Sequence, residues 1–165
     1  MKNKISLFLI AFLTSCASSV AIETVQYRRD SKNGQSNKEK KLLDIPKKYK
    51  LQTFVGGHGE KEQVYTFSDS VKVYVTDLPV SMLNYNNVLS LGDSVANKRF
   101  EGTELKAAVA KALGQSYVLE TLILQGKTSN GLYWKDIRMG DVSIGYVNVP
   151  LSKKEQFDSV LSSFR

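Results

Sequence analysis

The chain has 165 residues, of which 42% are hydrophobic and 24% charged, with one Cys, one His and a formal net charge of +7. This composition excludes collagen-like and disordered chains, and a single cysteine excludes an intramolecular disulfide framework. The length suits one domain, because domains commonly have about 100–200 residues.

The N-terminus has the layout of an export signal. A basic start, Met1–Lys4, precedes the largely apolar run Ile5–Leu13 and then small residues. As a helix, the nine residues of this run would reach only about 14 Å, whereas a bilayer core is about 30 Å thick. Residues 1–15 are therefore predicted to be a signal peptide rather than a membrane span.

The end of this segment, Leu13-Thr14-Ser15-Cys16, resembles the lipobox of bacterial lipoproteins, and the only Cys of the chain is its last residue. The resemblance implies cleavage before Cys16, a diacylglyceryl thioether on its sulfur, and acylation of the new amine, for example by palmitate. Two or three acyl chains give a lasting anchor, whereas one chain binds only marginally. Many inner-membrane lipoproteins of enteric-type bacteria carry Asp at the next position. Ala17 therefore favours the outer membrane within the cell envelope.

Two other interpretations of the N-terminus stay open. An ordinary secretory cleavage site is available among the small residues of Thr14–Ala21. An uncleaved anchor helix would extend from Ile5 to Ile22, but five Ser or Thr residues make that stretch a poor membrane span.

Residues 16–48 are predicted to be a lipidated Cys followed by a flexible basic tether, because polar, like-charged sequence cannot bury enough surface to order itself. Nine Lys or Arg and three Asp or Glu lie between Tyr27 and Lys50, whereas twelve of each follow from Leu51 onward. With the positive charge assigned to the tether, no basic face for nucleic acid is expected. The tether would lie against anionic headgroups or act as a soluble spacer with a span of about 30 Å.

Residues 49–165 are predicted to form one globular domain. Alternating apolar and polar residues predict three strands in its first part, at Tyr49–Val55, Gln63–Ser68 and Val71–Thr76. Gly56-Gly-His-Gly59 predicts a turn after the first of them. Leu78–Gly102 predicts a long loop with short elements, and Glu104–Leu113 a helix that ends before Gly114.

The second part of the domain predicts an antiparallel meander and a closing helix. Three β-rich segments are joined by short turns: Tyr117–Gln125, Leu132–Met139 and Val142–Val149. The final helix opens at Pro150 and Ser152, with Ser152 and Glu155 as a capping box. It carries an apolar stripe of Phe157, Val160, Leu161 and Phe164.

These elements predict an α+β fold: a single antiparallel β-sheet with one or two helices packed on one face and the C-terminal helix closing the sheet. This order of elements is similar to that of the PsbP-like fold, in which a late antiparallel meander leads into a C-terminal helix lying across the sheet. No residue motif carries that similarity, and a fold by itself does not give a function.

The residues of common catalytic and metal chemistry are few. Apart from Cys16, a zinc or triad site would have only His58, which lies between glycines as an exposed loop residue. We therefore predict no catalytic residue, no metal and no cofactor. A carboxylate-dependent envelope hydrolase is the alternative, and it needs two acids to converge in a cleft. The candidate acids are Glu60, Asp69, Asp77, Glu101, Glu104 and Asp141.

Aromatic residues give the candidate binding surface, formed by Tyr133, Trp134 and Tyr146. If Trp134 faces the core, it is a packing anchor, and Tyr133 and Lys135 face the opposite side of the sheet. If Leu132 and Trp134 are exposed instead, they belong to a sugar- or protein-binding face.

The function expected from these features is that of a membrane-anchored envelope lipoprotein with a small non-catalytic binding domain. Its partner is expected to be a protein or a surface polymer, and not a nucleic acid. One form of this function is an inhibitor or immunity-type protein that blocks an incoming hydrolase.

Overall fold

The computed structural model describes residues 20–30, 36–57, 59–78, 81–93, 95, 110, 112–114, 121–140 and 142–165. Outside these residues lie the predicted signal peptide, Cys16, His58, most of the helix predicted over Glu104–Leu113, and three of the candidate acids, Glu101, Glu104 and Asp141. No helix in the described part of the chain is long and apolar enough to cross a bilayer.

Eight strands and two α-helices have both of their ends within the described residues. The strands are β1 (Val20–Asp30), β2 (Ser36–Pro46), β3 (Tyr49–Val55), β4 (Lys61–Phe67), β5 (Lys72–Thr76), β6 (Leu122–Lys127), β7 (Tyr133–Met139) and β8 (Val142–Val149). The helices are α1 (Tyr85–Leu89) and α2 (Lys154–Ser162), and a 3₁₀ turn over Leu151–Lys153 precedes α2.

Six strands form one antiparallel sheet in the order β3-β4-β5-β8-β7-β6. Two three-stranded meanders meet where β5 pairs with β8. The predicted meander of the second half is confirmed, and β8 has the predicted bounds. A bulge interrupts β8 opposite Trp134, since Tyr133 pairs with Val149 while Lys135 pairs with Tyr146. Asn148 in this bulge has a φ of 62°, which Asn tolerates better than most residues.

The prediction of a flexible tether over residues 16–48 is wrong for the described part of that range, because β1 and β2 pair along their whole length as a hairpin. Val25, Leu43 and Ile45 are buried in the main core of the protein. The hairpin is held from outside by α2 and the chain after it: the backbones of Leu42 and Arg165 exchange two hydrogen bonds of 2.7 and 3.1 Å. A lone two-stranded hairpin is marginal in water, so packing supplies its stability.

The prediction of a single sheet is also wrong, because this hairpin forms a separate two-stranded sheet. The coarser expectation, a mostly antiparallel β fold with a C-terminal helix, is confirmed. Residues of the hairpin and α2 share one hydrophobic cluster with Tyr65, Val73, Ile144 and other residues of one face of the six-stranded sheet. We call this face the helix face.

The other face of the sheet is covered too, by residues 81–93 and 95, and we call it the loop face. Val88 of α1 packs there with Leu124, Trp134 and Val147. The two helices therefore lie on opposite faces, whereas the sequence predicted helices on one face. Because β5 is covered on both sides, Val73 and Tyr74, which point to opposite faces, are both fully buried.

The C-terminal helix packs as its periodicity predicts. Its four predicted apolar residues are all buried: Phe157, Val160, Leu161 and Phe164. The Phe157 ring makes edge contacts with Phe67 at 5.3 Å and Tyr146 at 6.4 Å between centroids. The predicted capping box is wrong, because the 3₁₀ turn shifts the helix start to Lys154 and no side chain caps it.

Candidate functional site

A buried polar network lies on the loop face at the start of α1. The Tyr74 hydroxyl donates to Asp136 Oδ1 at 2.5 Å and accepts a hydrogen bond from Asn84 Nδ2 at 2.7 Å. Asn87 Nδ2 donates to Asn84 Oδ1 at 2.9 Å. Tyr74, Asn84 and Asp136 are fully buried, so they cannot reach a substrate. This network fixes the loop over the sheet, since buried polar groups that are satisfied specify one packing.

Gly145 makes room for this network. It pairs with Tyr74 on one side and Asp136 on the other. A Cβ at this position would lie 2.2 Å from Tyr74 Oη and 2.3 Å from the Lys135 carbonyl oxygen. Only glycine therefore allows the tyrosine hydroxyl to cross β8 and reach Asp136.

Glu62 is a buried carboxyl that sequence reasoning missed. It lies in β4 beside Thr76 of β5 and accepts a hydrogen bond from the Ser81 hydroxyl. Burial raises the pKa of Glu62, while hydrogen bonds from Ser81 and the Met82 backbone partly oppose the rise. Its position was readable from alternation: Glu62 and Val64 share a strand face, and Val64 is buried.

The raised pKa of Glu62 predicts a pH dependence of stability. Between the unfolded pKa, near 4.5, and the higher folded pKa, the native state holds more protons than the unfolded state. The free energy of unfolding should therefore lose this contribution as pH rises through that window. Each unit by which the pKa of Glu62 differs between the folded and unfolded states corresponds to about 1.4 kcal/mol in the free energy of unfolding. The variant Glu62→Gln should lack this pH-dependent contribution.

Denaturant unfolding of the natural chain and the variant from pH 4 to pH 8 checks this. Other groups contribute equally to both proteins, so the difference between the two profiles reports Glu62. The variant should gain stability relative to the natural chain as pH rises and then level off. Parallel profiles over the whole range would contradict the assignment.

Three candidate acids lie within the described residues: Glu60 and Asp77 both lie beside Lys61 at one end of the sheet, whereas Asp69 lies at the other end. Asp69 lies in the turn before β5, where it pairs with Lys153, and Asp77 follows β5 and accepts a hydrogen bond from the Lys61 backbone. The five residues of β5 alone separate them by about 16 Å. Within the described residues, no three His, Cys, Asp or Glu side chains come close enough together to hold a metal ion.

The predicted aromatic surface does not form. Trp134 is buried on the loop face, where its ring lies over Gly126, so its interpretation as a packing anchor is confirmed. Tyr146 is fully buried on the helix face, and Tyr133 is half-buried against the same cluster. The three residues thus lie on opposite faces of one sheet and cannot contact one partner together.

Tyr146 instead belongs to an ion-pair cluster under α2. Asp158 accepts hydrogen bonds from Lys154 Nζ at 2.5 Å, Lys135 Nζ at 2.9 Å and the Tyr146 hydroxyl at 3.1 Å. Burial tends to raise the pKa of Asp158, but the two lysines outweigh it, and the pKa is lowered. Burial and the Asp158 charge raise the pKa of Tyr146. These contacts attach the helix to the sheet.

The exposed candidate surface is the edge strand β3. Six of its seven residues are exposed, although it pairs with β4 along its whole length. Its large apolar side chains stand in solvent: Leu51 is 45%, Phe54 53% and Val55 65% exposed. In the described ranges no strand pairs with its outer edge. Exposed edges with apolar side chains are templates for strand addition.

Comparison with known proteins identifies no relative of this chain. The similarity of element order to the PsbP-like fold therefore stays an expectation. No protein family, no curated protein and no solved structure matches the chain.

Proposed function

We propose that the chain is a lipid-anchored lipoprotein of the bacterial envelope whose domain binds another protein through β3, without catalysis. The anchor is proposed from the resemblance of Leu13-Thr14-Ser15-Cys16 to a lipobox after a short apolar run. Ala17 is the reason to place the anchor in the outer membrane. The exposed edge strand β3 supports binding, and the burial of Glu62 and Asp136 argues against a role for them in catalysis.

The observation that carries the binding proposal is the exposure of β3. An extended segment of a partner can add to this edge through main-chain hydrogen bonds. Specificity would come from side chains at alternate positions, because Leu51 and Val55 lie on one face of the strand and Phe54 on the other. We commit to a polypeptide rather than a surface polymer as partner, because such an edge matches a peptide backbone and not a sugar.

The hydrolase alternative has less support. The buried carboxyls Glu62 and Asp136 are covered by residues 81–93 and 95. Asp69 and Asp77 stand at opposite ends of β5, and Glu60 lies beside Asp77 next to Lys61. An inhibitor or immunity-type protein is the form of the binding function we favour, because an exposed strand edge can occupy an incoming hydrolase without supplying chemistry.

Site-specific photo-crosslinking in intact cells tests the edge. A benzoylphenylalanine at Phe54 should give an adduct with one other protein, and the same residue at Ile123 should not. Ile123 is a matched control, since it is 55% exposed on β6, the opposite edge of the sheet. Adding Leu51→Lys and Val55→Lys should remove the adduct, because charged residues on an edge oppose strand addition.

Two outcomes would contradict this proposal. An adduct with a second copy of the chain would show that the edge pairs copies of itself. Equal adducts from Phe54 and Ile123 would show that neither edge is specific.

A further inference from the structure

One end of the six-stranded sheet collects lysines from four chain segments. It is the end where β3, β5 and β7 begin and where β4, β6 and β8 end. Acids lie near it as well: Asp69 pairs with Lys153, Glu23 accepts a hydrogen bond from the Tyr49 hydroxyl, and Asp158 pairs with Lys154. Its lysines, which together we call the lysine-rich end, are Lys47, Lys48, Lys50, Lys72, Lys127 and Lys153.

Side-chain contacts show that the turns of this end lie side by side. Lys153, in the turn before α2, pairs with Asp69 in the β4–β5 turn. Lys127 Nζ lies 5.3 Å from the ring centroid of Tyr133, and Lys154 Nζ lies 6.0 Å from the same centroid. With strands about 4.8 Å apart, the six strand ends form a rim roughly 24 Å wide.

The first described residue of the chain is at this end as well. Val20 pairs with Pro46, which directly precedes Lys47 and Lys48. Cys16 is four residues before Val20, and four residues span at most about 14 Å. A lipid on Cys16 would therefore hold the lysine-rich end close to the membrane surface.

Exposed apolar side chains accompany these lysines. Leu151 in the 3₁₀ turn is 70% exposed, and Val20 is 42% exposed. Apolar side chains that enter the headgroup layer beside cationic ones are typical of proteins that lie on a membrane. The opposite end of the sheet differs, because its described turns bring Glu60 and Asp77 together with Lys61.

We propose that the lysine-rich end is a membrane-docking face and that it binds the headgroups of anionic phospholipids around the acyl anchor. The inference rests on the proposed lipid anchor at Cys16. In this arrangement the domain is not on a long tether. Its lysine-rich end lies against the bilayer, and β3 extends away from the membrane. Each lysine at an anionic surface strengthens such binding roughly fivefold.

Lysine footprinting of the purified lipidated protein tests the orientation. The protein is inserted into preformed vesicles of 70% phosphatidylcholine and 30% phosphatidylglycerol, or of phosphatidylcholine alone. A water-soluble amine-acetylating reagent is added, and peptide mass spectrometry gives the rate at each lysine. Lys47, Lys48, Lys127 and Lys153 should react about fivefold more slowly on the anionic vesicles. Salt at about 0.5 M, where the Debye length is about 4 Å, should remove the difference.

Lys40 and Lys61 are internal controls, because Lys40 lies well along the hairpin from Val20 and Lys61 lies at the opposite end of the sheet. The double variant Lys47→Gln/Lys48→Gln should also reduce protection of Lys127 and Lys153. The matched variant Lys40→Gln/Lys61→Gln, with the same change of charge, should not.

The outcomes separate the two proposals. A protein that floats with both kinds of vesicle but reacts equally at all lysines would overturn the docking face and leave the anchor in place. A purified protein that carries no lipid and floats with neither vesicle would overturn the anchor and the docking face together.

Discussion

Replacing Leu43 and Ile45 together by alanine should remove at least about 4 kcal/mol from the free energy of unfolding. Both side chains are fully buried in β2 against the helix face of the six-stranded sheet. Each such truncation commonly costs about 2–5 kcal/mol through lost burial and the cavity left behind. Since domains are stable by only about 5–15 kcal/mol, the double variant should be close to unfolding at room temperature.

Denaturant unfolding followed by circular dichroism measures this effect. Ile22→Ala is the matched control, because Ile22 lies in the same hairpin but is 64% exposed. That variant should stay within about 0.5 kcal/mol of the natural chain. If the double variant also stayed within about 1 kcal/mol, residues 36–46 would not belong to the folded domain, and the tether interpretation would return.

Replacing Cys16 by serine should abolish lipidation and leave an unprocessed precursor. In the proposed lipobox, diacylglyceryl transfer requires the Cys16 thiol, and a serine hydroxyl cannot form the thioether. Detergent-phase partitioning and gel mobility of the product measure both consequences.

Ser15→Ala controls for disturbance of the signal itself, because it keeps a small residue before Cys16 and should leave processing and fractionation unchanged. A Cys16→Ser protein that is processed and fractionates with membranes as the natural chain does would refute the anchor.

The parts of the fold that local pattern determines could be predicted. Alternation predicted the bounds of β3, β-rich sequence between turn residues predicted those of β8, and the spacing of Phe157, Val160 and Leu161 predicted the buried stripe of α2. Both signals arise within one element, where the period of the backbone decides which side chains share a face.

The hairpin could not be predicted, because its order comes from distant contacts. The Asp44 carboxylate accepts a hydrogen bond from the Arg165 guanidinium. The Asp44 backbone N–H donates to the Ser163 hydroxyl, which is 119 residues away in the sequence. Lys41 covers the Phe164 ring, 5.3 Å from its centroid. In the sequence alone, Lys41 and the lysines near it give this segment the composition of a soluble tether. The assignment of all excess positive charge to a tether fails with it, since Lys47 and Lys48 belong to the folded domain.

The candidate site was predictable only in part. Trp134 was expected in the core if its strand face was buried, and it is. Tyr146 is buried because α2 crosses over it, which is a tertiary fact. The exposure of β3 follows from its place at the edge of the strand order, which alternation within the strand does not reveal. Glu62 and Asp136 are buried because residues 81–93 and 95 cover the loop face of the sheet.

Intact mass spectrometry of the mature protein, purified from the membranes of its own cells, tests the central claim most directly. We predict a chain that begins at Cys16 and carries a diacylglyceryl group on sulfur and an acyl group on the amine. A free thiol at Cys16, or a mature chain that begins at any other residue, would contradict the anchor and the docking face.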